Sequence, residues 1–221
     1  MKDILDKIEA VIFDMDGLLV DSEPLWHIAE KEVFAEVGLH LTTAQCLETT
    51  GMPTGFVFDY WYKKQPWEGK SKEELELMLF EKIQILIKER AEPMPGVHDT
   101  IDFFRKKGFK IGLASASPMF LIEIVLDKFG LKSKFDFYHS ALLEKRNKPN
   151  PDVYWTVANK LNVPIEKCLI LEDSINGVKG AVASGAITIA VPESHFFERE
   201  EYSMAFYKVS GLPALLQWIN T

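Results

Sequence analysis

A chain of 221 residues, 47% hydrophobic and 26% charged, has the balance of an ordinary soluble globular protein and is long enough for one or two domains with a real core. Its formal net charge of -8 argues against nucleic acid or an anionic membrane as the main partner, and an anionic ligand would need positive charge supplied locally. Two cysteines, Cys46 and Cys168, stand far apart and outside any CxxC or Cys/His cluster, which leaves no zinc signature. No apolar run approaches the ~18 residues of a membrane span. The opening MKDILDKIEAVIF carries acids within its apolar pattern and lacks a cleavage-like motif, so a cytoplasmic protein without signal or transit peptide is expected.

The first element is an apolar run over 8–13 that reads as a buried strand and ends abruptly in Asp14-Met15-Asp16-Gly17. Two carboxylates where a buried strand emerges are costly unless a cation or a proton sits between them. If the extended geometry persists, Asp14 and Asp16 project to one side, so that one can attack while the other handles a proton. Taken alone, the pair reads equally well as two solvated turn aspartates.

From Ser22, a potential helix cap, apolar residues recur at helical spacing to Val37. A second helix is expected over 43–50. An aromatic stretch follows over 55–65, and a long helix over 72–90 with Ser71 and Glu74 placed for a capping box. No strand signal appears between 22 and 92. Beyond Pro93, Pro95 and Gly96, helices are expected over 97–107, 118–129, 151–161, 175–184 and 213–220, and strands over 109–114, 137–140, 167–171 and 186–191. This alternation predicts an α/β fold: a doubly wound, Rossmann-like parallel sheet core of residues 1–21 and 93–221, interrupted after its first strand by an all-helical domain of 22–92.

Ligands of such sheets bind beyond the carboxyl ends of the strands. Polar groups fall there in order: Asp14 and Asp16; Ser115-Ala116-Ser117 before a helix; Lys148, between Asn147 and Pro149; and Glu172-Asp173. The serine has an ordinary reading as a helix cap, the lysine as a solvated loop residue. Adjacent acids at a strand end suit Mg²⁺, a hard, oxygen-seeking ion.

In this order, DMDGLLVDSEP, LASAS, KPNPDVY and LEDSINGV resemble the motifs of the haloacid dehalogenase superfamily, in its sugar-phosphatase and β-phosphoglucomutase branch. Within that branch they are most similar to the 2-deoxyglucose-6-phosphate and hexitol phosphatases, as is WYKKQPW. The resemblance covers the whole chain and implies a Mg²⁺-dependent phosphatase acting on a small sugar or sugar-alcohol phosphate. It makes Asp14 the nucleophile that becomes an aspartyl-phosphate, and Asp16 the acid/base. It places the metal on Asp14, the main-chain carbonyl of Asp16 and Asp173, with Glu172 contributing less directly, and the phosphoryl oxygens on Ser115, the Ala116 N–H and Lys148. The helical insert becomes a cap that excludes water and selects substrate, with hinges near 19–22 and 92–96. Glu23, Trp26 and Gly51 are its candidate substrate residues. Trp26, Trp61 and Trp67 could face sugar rings or simply fill a helical core. The alternative is a β-phosphoglucomutase-like isomerase, for which the resemblance would lead one to expect a cap histidine where this chain has Trp26; His27 lies one position later. Asn176 has readings both as support for the metal loop and as helix surface. A monomer is expected.

Overall fold

A computed structural model describes residues 2–220. The chain divides into two compact units, one formed by the segments up to Asp21 and from Pro93 onward, the other by Ser22–Glu92.

The first unit opens with a single helical turn, α1 (Lys2–Leu5), and is built on a six-stranded sheet. Its strands are β1 (Ala10–Phe13), β2 (Lys110–Ser115), β3 (Phe137–Ser140), β4 (Cys168–Glu172), β5 (Ile187–Ala190) and β6 (Tyr207–Lys208), in the order β3-β2-β1-β4-β5-β6 with every pairing parallel. Among the strands, the sequence expectation lacked only β6, a two-residue edge strand; it also named no helix at α1. All four residues of β1 are buried, as a strand covered on both faces requires. On one face Ile12, Tyr154, Val157, Leu161 and Ile170 share a core. On the other, Phe13 meets Phe104 and Phe135 edge to face, at ring-centroid distances of 6.4 and 6.0 Å.

Because the crossovers after β1 run to one side and β4 returns on the other, β1 and β4 lie side by side at the point where the strand order reverses. Their register sets Phe13 opposite Leu171, and the Asp14 N–H donates to the Leu171 carbonyl at 3.0 Å. The first acid after β1 and the last residue of β4, Glu172, therefore emerge together. β2, on the other side of β1, delivers Ser115 in register with Ser140 of β3.

The second unit is all helical: α2 (Glu23–Ala35), α3 (Thr43–Thr49), α4 (Thr54–Lys64) and α5 (Lys72–Arg90). Ser71 and Glu74 form the predicted capping box of α5, and Thr42 with Gln45 forms a second one on α3. Ser22 differs from expectation. It precedes α2 but makes no side-chain cap; its backbone is helical and the residue is fully buried. Trp61 and Trp67, 2% and 9% exposed, sit in this unit's core, with Trp67 edge-on to Phe34. Their core reading, not the sugar-facing one, is the observed one. The remaining helices of the sheet unit are α6 (Val97–Lys106), α7 (Met119–Lys128), α8 (Asp152–Lys160), α9 (Ile175–Ser184) and α10 (Leu212–Asn220). No helix among the described residues is long and apolar enough to cross a membrane.

Candidate active site

At the carboxyl ends of β1, β2 and β4 the sheet gathers the acids and the lysine singled out in the sequence. Lys148 reaches in from the loop before α8 and is only 5% exposed. Its Nζ donates to Asp14 Oδ1 and to Glu172 Oε1, both at 2.6 Å, and to the Ala114 carbonyl at 2.8 Å, using the three protons of an ammonium. Glu172 Oε1 also accepts from the Tyr154 hydroxyl at 2.5 Å. This tyrosine, in the stretch KPNPDVY, was not assigned a role from sequence.

The strand at Asp14 does not extend through Asp16. β1 stops at Phe13, and the backbone at Asp16 pairs instead with Val20 in an isolated bridge. Asp16 still reaches the site: its Oδ2 accepts from Ser117 Oγ at 2.7 Å, with Ser115 Oγ at 3.4 Å. Ala116, half-buried, lies between those serines.

One residue on, the side chain of Asp173 is packed over Gly17. A Cβ at Gly17 would fall 2.2 Å from Asp173 Oδ2, and φ there is +77°. Likewise a Cβ at Gly177 would fall 1.9 Å from Glu172 Oε2. Gly17, at positive φ, thus leaves room for Asp173, and a side chain at Gly177 would displace the Glu172 carboxylate. The Tyr202 hydroxyl holds the Asp173 main-chain carbonyl at 2.7 Å.

The charges do not balance. Asp14, Glu172 and Asp173 bring three carboxylates together, each offering an oxygen within 4.8 Å of the others, against the one ammonium of Lys148. Burial, then the charge of Glu172, raises the Asp14 carboxyl above its ordinary range despite Lys148. Burial, then Asp14 and Glu172, does the same to Asp173. Burial alone would lower the Lys148 ammonium, but Asp14 and Glu172 outweigh it and hold it above its usual value. Glu172 Oε2 and Asp173 Oδ1 are buried without a hydrogen-bond partner. Orphaned anionic oxygens in an over-charged pocket are what a hard divalent cation satisfies, so the residues fit one.

Glu23, Trp26 and Gly51 belong to the helical unit. There Glu23 Oε1 accepts from Thr50 Oγ1 at 2.7 Å and lies 3.5 Å from His27 Nε2. Trp26 is half-buried on α2; Gly51 is exposed, in a turn with φ +74°.

A buried Asp–Lys–acid cluster at the switch point of a parallel sheet, with a helical unit inserted after the first strand, defines a class. The chain belongs to the haloacid dehalogenase-like hydrolases, whose family pattern matches residues 11–191, and it is a phosphoric monoester hydrolase. Among its relatives, hexitol phosphatase B of Escherichia coli is 39% identical over 210 residues, covering 95% of each chain. The crystal structure of CbbY from Rhodobacter sphaeroides in complex with phosphate superposes with a TM-score of 0.87 at 25% identity, covering 97% of this chain and 100% of that one. A putative β-phosphoglucomutase from Thermotoga maritima superposes with a TM-score of 0.77 at 28% identity, covering 97% and 100%.

Proposed function

We propose that the protein hydrolyses small sugar or sugar-alcohol phosphates through an aspartyl-phosphate on Asp14, with Mg²⁺ as cofactor. The observation that carries this reading is the convergence of Lys148 on Asp14 and Glu172 beside the orphaned oxygens of Glu172 and Asp173. An Asp14 oxygen attacks phosphorus, the ester P–O bond breaks, and Asp16 gives its proton to the departing alkoxide. Asp16, now ionised, takes a proton from a water that attacks the aspartyl-phosphate, releasing inorganic phosphate and restoring Asp14. Lys148, Ser115 and the Ala116 N–H hold the phosphoryl oxygens; phosphoryl transfer asks chiefly for such positioning and charge neutralisation. Asp14, Asp173 and the Asp16 main-chain carbonyl are the proposed holders of Mg²⁺, which supplies further positive charge to the transferring group when bound.

Likeness to hexitol phosphatase B favours a hexitol or hexose phosphate as substrate. Selection among sugars is assigned to the helical unit, where Glu23, held by Thr50, is an acceptor suited to a polyol hydroxyl; Trp26 and Gly51 are its companions in this reading. Phosphate release with Mg²⁺ from a panel of hexitol, hexose and pentose phosphates tests the function, with Asp14→Asn as control. Release confined to wild type supports it. Conversion of β-glucose 1-phosphate to the 6-phosphate without release would make the protein a mutase instead.

A further inference from the structure

The acid/base aspartate stands just past the end of its strand, and its carboxylate needs something to set its rotation. Ser117 does this. Pro118 occupies the cap position of α7, so Ser117, one residue before it, is not the helix cap, and its hydroxyl is directed at Asp16 Oδ2, 2.7 Å away. This is the usual length of a well-formed O–H···O hydrogen bond. Ser117 is 6% exposed, and its backbone is fixed from two sides: its N–H donates to Ser115 Oγ at 3.0 Å, and its carbonyl accepts from Ser140 Oγ at 2.6 Å. Ser140, fully buried at the end of β3, is itself held by the Leu142 N–H at 3.2 Å. The ends of β2 and β3 thus supply serine hydroxyls that bear on one oxygen of Asp16, Ser115 and Ser117 directly and Ser140 through the Ser117 carbonyl.

We propose that Ser117 is a positioning residue for proton transfer: by occupying Oδ2 it orients the Asp16 carboxyl so that the proton for the leaving group is carried on Oδ1. The inference rests on the reading of Asp16 as acid/base and goes beyond it by assigning the group that aims it. Ser140 acts one step further back, through the Ser117 carbonyl.

Leaving-group chemistry tests this. A sugar alkoxide departs only with a proton, whereas p-nitrophenolate departs without one, so misaiming the acid harms the first ester and spares the second. kcat/KM reports the first phosphoryl transfer and is measured for a hexitol phosphate and for p-nitrophenyl phosphate in wild type, Asp16→Asn, Ser117→Ala, Ser117→Thr and Ser140→Ala, with folding checked by circular dichroism. Ser117→Ala should lower kcat/KM for the hexitol phosphate by about 10–100-fold, a fraction of a general acid's usual worth, and change that for p-nitrophenyl phosphate less than about 3-fold. Ser117→Thr, which keeps the hydroxyl, should recover most of the loss, and Ser140→Ala should show the same selectivity more weakly. If Asp16→Asn is selective and Ser117→Ala harms both esters equally, or neither, the positioning role is wrong and the acid/base reading stands. If Asp16→Asn is itself unselective, the acid/base reading fails and takes this inference with it.

Discussion

The Tyr154 hydroxyl lies 2.5 Å from Glu172 Oε1, and this contact fixes which way the glutamate faces. Oε1 serves Tyr154 and Lys148, while Oε2 is turned over Gly177. Glu172 therefore acts first on Lys148. Tyr154→Phe removes the hydroxyl from both Glu172 and the Gly177 carbonyl, 3.0 Å away. It should cost about 1–3 kcal/mol in urea unfolding, the usual penalty for a buried acceptor left short of a donor, while leaving measurable turnover.

Lys148→Met takes the ammonium from two buried carboxylates at once. Breaking a buried ion pair on one side costs about 3–5 kcal/mol, because the remaining charge has no compensation. The variant should show that loss in denaturant unfolding without divalent cation and should have no phosphatase activity. A double variant, Lys148→Met with Glu172→Gln, should regain part of the stability but none of the turnover, which separates the two roles.

Mg²⁺ should raise the melting temperature of wild type and not of Asp173→Asn. Saturation at about 100 times the dissociation constant is worth about 2.7 kcal/mol. The shift should grow with pH. Asp14 and Asp173 both have raised carboxyl pKa values in the fold, so without cation their contribution is full below the unfolded carboxylate value and is lost as pH rises towards the folded one. Cation competes with those protons. Thermal melts at pH 5 and pH 8, with and without Mg²⁺, check the sign; a shift independent of pH and of Asp173 would refute it.

In the helical unit, Glu30 is buried with Oε2 unpartnered, and burial pushes its carboxyl from 4.5 up to about 7 although the Cys46 thiol opposes this; the charge of Glu23 adds to it. The folded unit binds this proton where the unfolded chain does not. The contribution of Glu30 to stability should therefore be full below 4.5 and decline as pH rises to about 7. The loss amounts to about 3 kcal/mol on the cited shift. Glu30→Gln should abolish that decline. Amide exchange along α2 at pH 5.5 and 8, compared between wild type and variant, isolates the effect.

Much of the site was legible because its groups obey one rule: they follow strands of a parallel sheet, and the hydrophobic runs that mark those strands are local signals. Asp14 and Lys148 meet across 134 positions because Asp14 stands at such an end and the loop between β3 and α8 carries Lys148 to it. Tyr154 was not legible as functional, and Ser117 only as part of the stretch Ser115-Ala116-Ser117, without its partner. Their partners are set by side-chain direction across the sheet, which no periodicity encodes: the Ser117–Asp16 bond spans 101 positions. Ser22 misled as a cap because its neighbours favour a helix start while its own backbone is helical rather than in the extended geometry a side-chain cap uses. β6 escaped because two residues after a run of 3-10 turn have no pattern to read. The tryptophans at 61 and 67 stayed ambiguous until packing decided for the core.

One detail of the chain path bears on how such a molecule can change. Val20 pairs antiparallel with Pro93, and the Met94 N–H donates to the Leu19 carbonyl at 3.0 Å, so the segments that lead out of the sheet unit and back into it are stitched to each other before the helical residues begin. To the sheet, everything between is the tip of a hairpin. Its length enters only through the weak logarithmic cost of closing a longer loop. The excursion can therefore be shortened, lengthened or exchanged for another without shifting the register that brings Asp14 to Glu172.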